Sequence, residues 1–124
     1  MKRTTVTIKI GARERDKPPT EHTIPAWVDE RAPHMAITRP VALGKATPEL
    51  LARQGWMVTH IKTGYTLTDR YHLLPTRAAA VAYAATLEPL ADFDQDDPRA
   101  VHKSFSIPFG QAIARARAAA GIEN

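Results

Sequence analysis

The sequence predicts an α+β fold: an antiparallel sheet of four to five strands packed by one alanine-rich helix, with a second helix at the C-terminal end. Three observations carry this expectation. Residues 5–10 alternate polar and apolar, the period of a half-buried strand. Residues 55–68 hold two β-rich runs around Lys62-Thr63-Gly64, which reads as a hairpin. Residues 75–90 are dominated by strong helix formers behind a threonine suited to capping.

Taken in order, residues 5–10 set Val6, Ile8 and Ile10 on one face, and Gly11 ends the strand. Residues 11–20 carry Arg13, Glu14, Arg15, Asp16, Lys17 and two prolines, a mobile charged loop too polar to bury. A second strand is expected over residues 23–28, but Pro25 lacks the amide that a central strand donates, which restricts it to an edge. Residues 34–41 alternate Met35, Ile37 and Val41 against Ala36, Thr38 and Pro40, a third strand. Arg39 shares the parity of Met35 and Ile37, so it belongs near the sheet margin. Thr47 and Pro48 start a short helix that Gly55 stops.

The hairpin admits two registers. A two-residue loop of Thr63-Gly64 pairs Ile61 with Thr66 and mixes the faces. A three-residue loop with Gly64 left-handed pairs Ile61 with Tyr65 and Thr59 with Leu67, which segregates apolar from polar. The second is therefore expected. It puts Met57, Ile61, Tyr65 and Leu67 under the helix, and Trp56, Val58, His60, Lys62, Thr66 and Thr68 on the opposite side. The helix, capped by Thr76, repeats Ala80, Tyr83, Ala84, Leu87 and Leu90 or Ala91 at three- and four-residue steps. An acidic turn over residues 92–98 separates it from a second helix over residues 106–121. Ser104 or Ser106 is the expected cap of that helix, and Phe109, Ile113, Ala116 and Ala120 its stripe.

A chain of 124 residues without an internal repeat is expected to form one domain, residues 1–124, large enough to bury roughly two-thirds of its unfolded surface. The absence of cysteine excludes disulfides, thiolate metal ligands and cysteine nucleophiles. No signal-peptide pattern follows Met1, and the longest apolar run, residues 78–85, falls far short of the ~20 residues of a membrane helix. No membrane association and a cytoplasmic location are the expectations.

The net charge of +4 is unevenly spread: residues 1–20 hold six Lys or Arg against two acids, whereas residues 92–97 hold four acids and no base. Arginine outnumbers lysine 11 to 6, alanine reaches 21 and Asn124 is the only asparagine, a usage typical of coding in a GC-rich bacterium, its phages or its mobile elements. Asp92, Asp94 and Asp96 imitate the start of a calcium loop. The imitation stops at Asp97, where glycine is needed, and at Lys103, where a bidentate glutamate is needed. The five histidines fall at neither the i, i+4 spacing of a helical metal site nor an H-x-H pair, and no nucleophile elbow or phosphate-binding glycine loop occurs.

The expectation is thus a small non-enzymatic accessory protein that binds nucleic acid without a cofactor or metal. Lys2, Arg3, Arg13, Arg15 and Lys17 would contact phosphates, and Trp56, Val58, His60 and Lys62 would offer an open sheet face to bases. The alternative is an adaptor or inhibitor that binds a host protein through the same Trp56 and Val58 face. An enzyme whose site carries no recognisable motif is the third reading.

Overall fold

Polar–apolar alternation on both sides of the charged segment lets β1 (Lys2–Ile10) pair with β2 (Thr20–Val28) along its whole length, from Lys2 against Val28 to Ile10 against Thr20. The computed structural model describes residues 1–10, 20–40, 55–68 and 73–122. The expected charged loop, the helix begun by Thr47, and Asp69 to His72 lie outside them. Two short strands, β3 (Met35–Thr38) and β4 (Met57–His60), complete an antiparallel sheet in the order β1-β2-β3-β4.

β2 is therefore central, against the expectation from Pro25. Pairing of β2 with β3 centres on Trp27 and Ile37, so Pro25 lies past the end of β3, where a missing amide interrupts no ladder. Arg39 sits just beyond β3, at the sheet margin as its parity suggests.

On β4 the helix face is the reverse of the one expected, whereas Leu67 packs against the helix-covered core as expected. Ile37 stands opposite Val58 and Met35 opposite His60, so the parity of Trp56, Val58 and His60 joins the face that Met35 and Ile37 already make apolar. These residues form one core with Ala80, Val81, Tyr83, Ala84 and Leu87. The hairpin turn also takes in Ile61: the His60 carbonyl accepts the Gly64 N–H at 2.8 Å, the His60 N–H donates to Tyr65 at 2.9 Å, and Thr59 pairs with Thr66. Ile61 and Tyr65 are each left 38% exposed instead of lying under the helix.

Gly64 is left-handed as expected, with φ of 74°. Its carbonyl accepts the Lys9 N–H at 2.7 Å, and a Cβ there would fall 2.9 Å from the Thr7 carbonyl oxygen. The sheet thus curls until the hairpin tip meets β1. On the face away from the helices, Val6, Ile8, Ile24, Ala26 and Ala36 form a second buried cluster.

The long helix α1 (Arg77–Leu87) starts where its sequence dictates, the Thr76 hydroxyl accepting the Ala79 N–H at 3.0 Å. The Tyr83 hydroxyl reaches across to the Leu67 carbonyl at 2.6 Å, and burial pushes its pKa up to about 12. After a 3₁₀ turn over Glu88–Leu90, a short helix α2 (Pro98–Lys103) follows the acidic segment. Asp97 caps it and Pro98 occupies its first turn, a start signal that the acidic composition obscured.

The last helix, α3 (Phe109–Ala119), begins after Pro108 with no side-chain cap. Ser104 instead accepts the Asp92 N–H, and the Ser106 N–H donates to the Leu90 carbonyl. Ala112 and Ala116 form the buried line of α3 in the same core as Ala80 and Ala84 of α1, small residues that permit close helix approach. Phe109 is 38% exposed, with its ring edge against Phe105. Among the described residues, no helix is long and apolar enough to cross a membrane.

Candidate functional site

The open face expected around the hairpin does not exist. Trp56 is 8% exposed, His60 2% and Val58 fully buried, because the face they share is the one the helices cover. His60 is a satisfied core histidine: Nε2 donates to the Phe93 carbonyl at 2.6 Å, which leaves Nδ1 to accept the Thr63 hydroxyl at 2.9 Å. Burial holds its pKa below the usual imidazole value. Lys62 is exposed but engaged, its Nζ donating at 2.7 Å to both the backbone carbonyl and the carboxylate of Asp94. Arg13, Arg15 and Lys17 lie outside the described residues. Lys2, exposed on β1, is opposite Val28 and so faces away from its neighbour Arg3.

Arg3 belongs to a different constellation. It stands opposite Trp27 across the β1–β2 pair, on the helix-covered face, and its guanidinium lies 5.6 Å from the centre of the Trp27 ring. Arg77, the first residue of α1, lies 5.4 Å from the same ring and 6.0 Å from that of Trp56. Arg39 lies 3.7 Å over Trp56 and donates to the Gly55 carbonyl at 3.2 Å. The two indoles meet edge to face with centroids 5.5 Å apart. β1, β2, the end of β3, β4 and the start of α1 thus deliver three guanidiniums onto two indoles at one end of the sheet.

Arg3 and Arg77 are exposed, and among the described residues neither has a carboxylate within ion-pair distance. The acid nearest to Trp27 in sequence, Asp29, is held by Arg31 at 2.9 Å, an interaction that keeps its carboxyl below the usual range. A cation at the first position of a helix also opposes the helix dipole, and α1 has no acid in its first turn to offset it. Arg3 and Arg77 thus bring two exposed guanidiniums to one ring at the start of α1, a charge arrangement that suits an anion.

No protein-family model, curated protein or solved structure matches the chain.

Of the expected contact residues, only Arg3 is in this cluster as an exposed group; Trp56 is its buried floor. Sequence reasoning passes over Trp27, Arg39 and Arg77. Trp27 is recoverable, since extending β1 to Lys2 pairs it with Arg3, but the proline penalty pushes β2 to an edge first. Arg77 carries a local signal as well, a base where the helix dipole favours an acid.

Proposed function

We propose that the chain is a small nucleic-acid-binding accessory protein that holds backbone phosphates at the end of the sheet where Arg3 and Arg77 flank Trp27. What supports this reading is one observation: two exposed guanidiniums within 5.6 Å of one indole's ring centre, with no carboxylate partner among the described residues. Arginine donates to phosphate through a planar fork that stacking on a ring leaves free at its edge. The adaptor reading needs an exposed Trp56 and Val58, and burial of both removes its ground.

Fluorescence anisotropy with labelled oligonucleotides at two salt concentrations tests the proposal. Binding is expected at low salt, weakening with a log–log slope of about −2 to −3 for a patch of this size. The double variant Arg3→Gln/Arg77→Gln should lose about tenfold or more in affinity with its thermal melt unchanged. Absence of binding at low salt, or a double variant that binds like the parent, overturns the reading.

A further inference from the structure

Resting on that proposed function, we infer that the Arg3–Trp27–Arg77 site takes single-stranded nucleic acid, one unpaired base stacking on Trp27 in place of a guanidinium that moves to the adjacent phosphate. The half-buried Trp27 ring is fixed from below by the core and flanked by two long, exposed cations at 5.6 and 5.4 Å. An exposed cation–π contact favours its geometry by only about two- to fivefold. Stacking of a base on an aromatic side chain is worth about 5- to 150-fold. The exchange therefore runs toward the base, and the displaced guanidinium keeps its full charge for the phosphate next to it.

A duplex cannot supply this contact without extruding a base, which costs unpairing and unstacking. Nor does α3 carry a face suited to a major groove: Arg115 and Arg117 project about 200° apart around its axis. Trp56 takes no part in stacking because it is buried beneath Arg39. Its role is to hold Trp27 edge-on at 5.5 Å, which limits the movement of the ring that receives the base.

The test measures affinity for oligothymidine, oligouridine and a mixed-sequence duplex of equal length at low salt, with parent protein and with Trp27→Leu and Trp27→Phe. Both single strands should bind more tightly than the duplex. Trp27→Leu should lose about 5- to 100-fold on single strands and little on the duplex, while Trp27→Phe, which keeps a ring, should recover most of that loss. Circular dichroism melts confirm that each variant is folded, and if Trp27→Leu does not fold, the preference of the parent protein for single strands over the duplex decides between stacking and its absence. Equal binding of all three nucleic acids, insensitive to the ring but lost in Arg3→Gln/Arg77→Gln, overturns base stacking and leaves phosphate binding standing. No binding of any oligonucleotide overturns both.

Discussion

At one end of the helix-covered face, Arg3 and Arg77 lie beside Trp27 and Arg39 lies over Trp56; at the other, His34 and Lys62 meet Glu88 and Asp94 around His60 and Phe93. Register separates them, since Met35 lies opposite His60 while Arg39 follows the far end of β3. Both ends are rich in charge and aromatic rings. The difference lies in where the donors go. At the histidine end His34 Nδ1 is paired with Glu88, Lys62 with Asp94, and His60 with Phe93 and Thr63. Glu88 Oε2 is the buried side-chain atom without a partner among the described residues. At the arginine end Arg3 and Arg77 meet the Trp27 ring and, among the described residues, no acid. Charge density alone thus says little about a binding surface; a charge turned toward solvent with its donors uncommitted says more.

The largest expected effect comes from the floor of the arginine end. Trp56→Ala should cost about 3–5 kcal/mol, because it empties a packed site between Ile37, Val58 and α1. Urea unfolding measures it. If the variant keeps its stability and loses only affinity, Trp56 is a contact residue and the two ends differ less than their burial suggests.

Next in size is Gly55→Ala. Gly55 has φ of 99°, and a Cβ there would fall 2.6 Å from the Leu74 carbonyl that accepts the Trp56 N–H. Strain and displacement together should cost about 2 kcal/mol or more. The Gly55 carbonyl also holds Arg39, so affinity should drop alongside the melting temperature.

Acid probes the other end. Burial sets the folded pKa of His60 below the ordinary imidazole value of 6.5, so the unfolded chain binds more protons in between. Its contribution to stability is complete above 6.5 and is lost as pH falls below that value toward the folded pKa. Melting temperatures between pH 8 and pH 5 should show this decline, and His60→Gln, which can still donate to Phe93, should flatten it. A parent protein whose melt is level across that range would remove His60 from the buried, neutral state.

Local signals make much of the fold legible. Alternation marks β1 and β3, Thr76 and the alanine stripe mark α1, and Gly64 marks the turn, because each depends on neighbours in the chain. Which face of β4 meets the helix is decided by pairing with β3, a strand about twenty residues upstream in sequence, and no turn analysis contains that information. The burial of Trp56 follows from that one non-local choice. The cluster at Trp27 is hidden for a related reason: it draws residues from β1, β2 and α1, and only the assembled sheet brings them together.

The smallest effect is expected at an exposed ion pair. Lys62 and Asp94 form an exposed pair at 2.7 Å, with side chains 45% and 74% accessible. Lys62 holds the Asp94 carboxyl below its usual range, so whatever the pair adds is present above pH 3.8 and fades as acid protonates the folded carboxylate. Screening by water and salt leaves such pairs with little to contribute. Asp94→Asn should therefore leave the melt at neutral pH unchanged. It should also leave oligonucleotide affinity unchanged or slightly higher, since it removes a negative charge and releases Lys62. A variant that lost binding would relocate the contact surface to the histidine end, which no substitution at Arg3 or Arg77 could reveal. Measured beside Arg3→Gln/Arg77→Gln, it decides whether paired or uncommitted charge marks the working end of the sheet.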